Sequence, residues 1–291
     1  MITEDKIMIR ILTDSTSDLT KEMREELGIL VVPLHVLLGD NEYLDGVDIT
    51  PEDIYKWSDA NKATPKTSAA SIEDVQEIYN RYPEDEFICF SISDKMSTSG
   101  NVMRLAAEDL EREDEIHVID SMNLSTGIGH LVVEAAVMAR DGKTSDEIIA
   151  EINRLIPRVR ASFVVDTLTF LHRGGRCSAV AALAGGALKL HPKIEVTDGA
   201  MHPGKKYRGQ LEHVIMSYVE DMKSELLTAK PDRVFITHSG CNREIVEKVT
   251  SYLENLNCFK SIIETRAGGV ISSHCGPGTL GVLYIAAKDD K

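Results

Sequence analysis

Met8-Ile9-Arg10-Ile11-Leu12-Thr13 runs directly into Asp14-Ser15-Thr16-Ser17-Asp18, and a helix-period segment from Thr20 to Leu27 follows and stops at Gly28. An apolar run of strand length, a turn of hydroxyls and carboxylates, and a helix closed by glycine make the opening unit of an α/β chain. The same alternation continues outward. Ile29 to Leu38 is a second apolar run, and Gly39-Asp40-Asn41 is turn chemistry. Thr50 with Pro51 and Asp53 marks a helix start, because the hydroxyl caps free amides and proline sits where no amide is needed. Ser71 with Asp74 marks another, running to about Tyr82. Glu86 to Ser91 and Ile116 to Asp120 read as strands around a helix from near Gly100 to Glu113. Helices from Thr126 to Arg140, and from a Ser145 cap to about Arg160, close the first unit.

The second unit opens with a strand over Ser162 to Val165, a short helix to His172 and the loop Arg173-Gly174-Gly175-Arg176. Ala179 to Leu190 reads as a small-residue helix. Lys193 to Val196 turns at Asp198-Gly199 into Ala200 to Tyr207, the pattern of an antiparallel pair. A helix over Gln210 to Leu227, a strand over Arg233 to His238, a helix over Arg243 to Asn255, and strands over Ser261 to Thr265 and Thr279 to Ala286 complete it. The expected architecture is two α/β domains, residues 1–160 and 161–291, with largely parallel sheet. A chain of 291 residues fits this division, since domains cluster at about 100 to 200 residues.

With 47 acidic against 32 basic side chains the net charge is -15, which opposes general attraction to nucleic acid or to an anionic membrane surface. Local basic residues therefore stand out. The five cysteines are dispersed and odd in number, without a CxxC pair, so neither a disulfide framework nor a zinc site is expected, and a reducing cytoplasm is the natural setting. No apolar run approaches about 20 residues, and no basic-then-apolar leader opens the chain, so neither a membrane span nor secretion is expected. A monomer is the default expectation.

Three hydroxyl-rich stretches carry the chemistry: Thr64 to Ser68, Ser93 to Ser99, and Ile271 to Gly278 with His274 inside it. Hydroxyls ahead of a helix serve either as caps or, with the free amides and helix dipole, as an anion site. Gly174-Gly175 between two arginines would suit a phosphate or a plain turn, and neither nucleotide-binding fingerprint is present. The turn Asp14 to Asp18 stands where open α/β sheets bind ligands, although such residues also bond locally to their own backbone. His274 reads as lying between strand signals, where a histidine is either structural or functional. The convergent hydroxyls, with no metal set or nucleotide loop beside them, point to binding of a carboxylate or phosphate, without a cofactor.

In these residues the chain resembles the DegV family, whose characterised members include the fatty-acid-binding subunit of bacterial fatty acid kinase. The marks are Leu12 to Thr16, Val32-Pro33-Leu34, Lys66-Thr67-Ser68, Ile92-Ser93 with Ser97 downstream, Ile119-Asp120-Ser121, Phe170 to Arg176, and His274-Cys275-Gly276-Pro277-Gly278. The resemblance implies a long-chain fatty acid in a tunnel between two domains, its carboxylate fixed by hydroxyls and a histidine. The family's TS motif falls on Thr67 and Ser68, and its HxGPG histidine on His274. The serine of its SGT motif falls on Ser97 without gaps, or on Ser99 with a shift of two residues, because Thr98 stands where glycine is usual. The resemblance further implies a separate ATP-dependent fatty acid kinase as partner, the acyl phosphate passing on towards phospholipid synthesis. Arg173, Arg176, Lys205, Lys206 and Arg208 are then the candidate residues for docking it.

Two other readings compete. A lipid hydrolase or acyltransferase would use a serine with His274, but no GxSxG elbow exposes a nucleophile. A module for another small anionic metabolite would hold a polar ligand with no buried tail.

Overall fold

The computed structural model describes residues 7–177 and 190–287. Strands β1 (Ile9–Asp14), β2 (Leu30–Val32), β6 (Glu86–Ser91) and β7 (Ile116–Asp120) form a wholly parallel sheet in the order β2-β1-β6-β7. Strands β3 (His35–Leu38), β4 (Asn41–Leu44) and β5 (Lys66–Ser68) form a small antiparallel sheet in the order β4-β3-β5. Strands β8 (Val159–Val164), β9 (Leu190–Thr197), β10 (Ala200–Arg208), β11 (Val234–His238), β12 (Ile262–Arg266) and β13 (Leu280–Ile285) form a third, in the order β10-β9-β8-β13-β11-β12.

The α/β class expected from the alternation is present, while the parallel character belongs to the first sheet. In the third sheet only β11 and β12 run parallel. One cause is local: Asp198 and Gly199 both adopt positive φ, 49° and 73°, and join β9 to β10 in the tight turn that antiparallel pairing requires.

Several expected boundaries move. The run Ile29 to Leu38 divides at Pro33, which has no amide to donate, so β2 and β3 enter different sheets. Thr67 and Ser68 lie in β5 and cap nothing. The cap is Ser71, in a reciprocal pair with Asp74. Thr144, rather than Ser145, caps the next helix. The helix expected over Gln210 to Leu227 breaks at Met222 into Leu211–Asp221 and Lys223–Leu226. His274 lies on a helix, Gly269–Cys275, because a short apolar run does not by itself separate strand from buried helix. The helix expected over Ala179 to Leu190 lies outside the described residues, apart from Leu190, which opens β9.

The Thr126–Arg140 helix is apolar nearly all round, and it is buried accordingly, touching β1 and β6 on one side and β8 and β13 on the other. One continuous core therefore includes Ile11, Ile88 and Phe90 of the parallel sheet and Phe163 and Leu283 of the larger one. Two of the polar side chains along this helix bond to the larger sheet. Thr126 Oγ1 lies 2.6 Å from Thr237 Oγ1, and His130 Nε2 lies 3.0 Å from the Leu283 carbonyl. No helix among the described residues is long and apolar enough to cross a membrane.

Candidate functional site

Thr67 arrives from β5, in register with Val36 of β3, and His274 arrives from the Gly269–Cys275 helix. His274 Nε2 lies 2.8 Å from Thr67 Oγ1, across 207 positions of sequence. Burial, with the Arg176 guanidinium nearby, pushes the imidazole down to about 4, so it is neutral at physiological pH. Its Nδ1 is buried without a hydrogen-bond partner among the described residues and lies against Gly174. Among the described residues a relay of serine, histidine and acid is not formed on this ring: the hydroxyl at Nε2 is a threonine, and no carboxylate bonds Nδ1.

The helix that carries His274 is placed by carboxylates from the first half of the chain. Asp18 accepts the Gly268 N–H at 2.8 Å, and Asp45 accepts the Gly269 N–H at 2.5 Å, so amides at the start of this helix are satisfied. Ser15 Oγ donates to Asp45 at 2.8 Å, and Ser125 Oγ donates to Asp18. Asp14 accepts the amides of Thr16 and Ile92, tying the turn after β1 to the end of β6. The turn Asp14 to Asp18 is thus a scaffold for the site. Burial raises all three carboxyls, Asp14 to about 6 and Asp18 to about 8, with repulsion from neighbouring carboxylates adding to both of these.

Ser97 and Ser99 come from the loop and first turn after β6. Ser97 Oγ accepts the Ser99 N–H at 3.2 Å and shares a 2.8 Å hydrogen bond with Ser99 Oγ. Ser97 is half-buried and lines a cavity, whereas Ser99 is buried behind it. The loop is held from across the molecule, since Ser93 Oγ donates to the Gly199 carbonyl at the tip of the β9–β10 hairpin, 2.7 Å away.

These residues border a cavity of about 480 Å³. Thr67, Ser68, Ser97 and His274 contribute polar groups to it, with Lys95 and Arg176 beside them, and Leu34, Ile92, Met96, Leu124, Val270 and Ile271 contribute apolar wall. A larger groove of about 1100 Å³ lies along β7 and the hairpin tip, bordered by Arg104, Glu113, His117, Asp120, Arg160 and Asp198. That groove is lined by charges of both signs; the smaller cavity also carries Asp94, Lys95 and Arg176, and it is the one that Thr67, Ser68, Ser97 and His274 share. Among the described residues no cluster of His, Cys, Asp and Glu is arranged to hold a metal ion.

The basic residues singled out in the sequence have different surroundings. Arg176 borders the cavity and donates to the Gly174 carbonyl at 2.7 Å. Arg173 is exposed beside Thr64, 3.5 Å from its hydroxyl. Lys205 is paired with Asp221 at 2.5 Å, while Lys206 and Arg208 are exposed further along β10. Asp45 and Gly174 were not predicted from sequence as parts of the site. Asp45 draws no reading from sequence, and Gly174 reads, with Gly175, as a phosphate loop or a plain turn rather than as a neighbour of His274.

Mixed α/β sheets surround a cavity with hydroxyls and an apolar wall, the composition common in small-ligand pockets of α/β proteins. Residues 8–287 match the family model described as an uncharacterised protein of the DegV family, and the chain belongs to that family. It is 30% identical over 276 residues to a DegV domain-containing protein of Caldanaerobacter subterraneus subsp. tengcongensis, covering 95% of this chain and 98% of that one. Among solved structures it is similar to a DegV family protein from Thermus thermophilus described for fatty acid binding, at a TM-score of 0.87 and 29% identity, covering 96% of this chain and 100% of the other. A stearic acid-binding protein from Eubacterium ventriosum matches at a TM-score of 0.82 and 27% identity, covering 96% of this chain and 98% of the other.

Proposed function

We propose that this protein binds a long-chain fatty acid in the 480 Å³ cavity, its carboxylate at the Thr67 and Ser97 hydroxyls and its acyl tail along the aliphatic wall. The observation that carries the reading is that one cavity joins a hydroxyl-rich end to a wall of Leu34, Ile92, Met96, Leu124 and Ile271. Its volume falls within the range of small-molecule sites, about 300 to 1,000 Å³. Burial of about 14 methylenes at about 0.8 kcal/mol each offers on the order of 10 kcal/mol before the costs of ordering. The tail supplies affinity. The head supplies selection, because every buried carboxylate oxygen needs a donor. His274 acts through Thr67, Ser97 is the serine of the contact, Ser99 supports it, and Ser68 stands at the exposed rim. The fatty acid binding described for the Thermus structure and the stearic acid named for the Eubacterium one support this assignment.

The reading extends to two α/β units divided near residue 160, with the cavity between them. It also extends to a separate ATP-dependent fatty acid kinase that phosphorylates the presented carboxylate and leaves this protein carrying the acyl phosphate towards phospholipid synthesis. The exposed Arg173, Lys206 and Arg208 support docking of such a partner against an acidic background. The free thiols of all five cysteines suit a cytoplasmic setting, and the protein is taken to work as a monomer.

Organic extraction of the purified protein, with mass spectrometry of the released molecules and native mass of the intact complex, tests the central claim. Near-stoichiometric fatty acid is expected. A protein that is empty or holds a polar ligand, and that takes up no added fatty acid, would sink it.

A further inference from the structure

The two ring nitrogens of His274 have different surroundings. Nε2 faces the Thr67 hydroxyl at 2.8 Å, whereas Nδ1 is buried with no partner among the described residues. Gly174 closes off Nδ1: a Cβ at that position would overlap Nδ1 and crowd Cγ and Cε1 at 3.4 Å. The Gly174 carbonyl in turn accepts the Arg176 guanidinium at 2.7 Å, which keeps a positive charge beside the imidazole. Glycine is required here for space, not for backbone conformation, since it ends the Thr169–Gly174 helix without a positive φ.

A neutral imidazole carries one proton, and its location decides what Thr67 can offer. On Nδ1 the proton would be a buried donor with no acceptor, at a cost equivalent to about a tenfold or larger shift in equilibrium, and it would sit in the field of a cation. Thr67 would then donate to Nε2 and turn only lone pairs towards the cavity, which repel a carboxylate. On Nε2 the proton is donated to Thr67 Oγ1, the Nδ1 lone pair faces the positive field, and the threonine O–H is free for the ligand.

Resting on the fatty-acid reading above, we infer that Gly174 and Arg176 are positioning residues that hold His274 as the Nε2–H tautomer, so that Thr67 presents a hydroxyl donor to the carboxylate. The pair thereby selects a head group that only accepts hydrogen bonds. The chain of contacts runs from the Arg176 guanidinium through Gly174 and His274 to Thr67, and the threonine donates to the carboxylate as a neutral hydroxyl.

Long-range proton–nitrogen correlation spectra of protein labelled with ¹⁵N-histidine, recorded at neutral pH with and without palmitate, read the tautomer directly. His274→Gln serves to assign the signals. The expected spectrum has an imine-type Nδ1 and a protonated Nε2 in both states. Thr67→Ser should keep palmitate affinity within about threefold, and Thr67→Val should lose about tenfold or more, with hexadecanol affected less. Gly174→Ala should weaken palmitate binding at least about tenfold and disturb the tautomer signature. Should that variant not fold, Arg176→Gln should move the signals towards Nδ1–H. A protonated Nδ1 in the wild type overturns the inference, as does a folded Gly174→Ala protein with unchanged spectrum and affinity. Wild-type protein that takes up no palmitate sinks the fatty-acid reading instead, and the ligand-free spectrum still decides the tautomer.

Discussion

Asp45 accepts the backbone N–H of Gly269, the first residue of the helix that carries His274. An acid from the turn after β4 thus fixes the start of a helix more than two hundred positions away, and through it the imidazole that meets Thr67. Asp45→Ala leaves a buried amide unpaired, which costs about 1 to 3 kcal/mol. Thermal unfolding should shift down by several degrees, and palmitate affinity should fall as well, because the histidine moves with its helix. Calorimetry and ligand titration on one preparation check both. Loss of stability with unchanged affinity would show that the helix start does not govern the site.

Ser97 and Ser99 share a hydrogen bond, yet Ser97 borders the cavity and Ser99 is behind it. Ser97→Ala should weaken palmitate binding about tenfold, as expected for a lost bond to a charged group. Ser99→Ala should act mainly on stability, by about 1 kcal/mol. Equal effects of the two on affinity would mean that the pair acts as one unit.

The carboxyls of Asp14 and Asp18 are raised by burial to about 6 and about 8. A raised acid contributes stability that is fully present below its unfolded value, near pH 4, and is lost as pH rises through its folded value. Unfolding temperature should therefore fall between about pH 4 and pH 8 from this pair. Asp18→Asn keeps an acceptor for Gly268 and removes the ionisation, so it should flatten this slope and raise the unfolding temperature at pH 9 by at least about 2 to 4 °C. A slope unchanged by the substitution would place the titration elsewhere.

The α/β class was legible because hydrophobic runs and caps are local: Thr50 with Asp53 and Ser71 with Asp74 form the reciprocal caps that their spacing implies. Thr67 and His274 were legible as motif residues, and the structure joins them. The setting of each was not. A strand of three residues such as β5 has too little pattern to be seen, and whether the Ile271 to His274 run is strand or helix depends on what packs on it. Gly174 could not be assigned, because its role is an absent side chain opposite a ring exactly one hundred positions on, a contact no local spacing encodes.

The residues proposed to dock a kinase partner divide by pairing. Lys205 spends its charge on Asp221 and lies against the Tyr207 ring, so its reversal disturbs a local contact in addition to any interface. Lys206 and Arg208 share β10 with it at exposed positions, and Arg173 is exposed beside Thr64. Charge reversal of Arg173, or of Lys206 with Arg208, should leave palmitate uptake unchanged while reducing phosphorylation of bound palmitate by the kinase about tenfold. The loss should shrink at low salt for partial variants, since exposed charges about a Debye length apart, ~10 Å at 0.1 M, steer association rather than hold it. Arg176 is the contrasting case: it borders the cavity and faces the His274 environment, so its reversal should reduce palmitate uptake itself. Phosphorylation unaffected by reversal at all three exposed positions would move the partner to another face of the molecule.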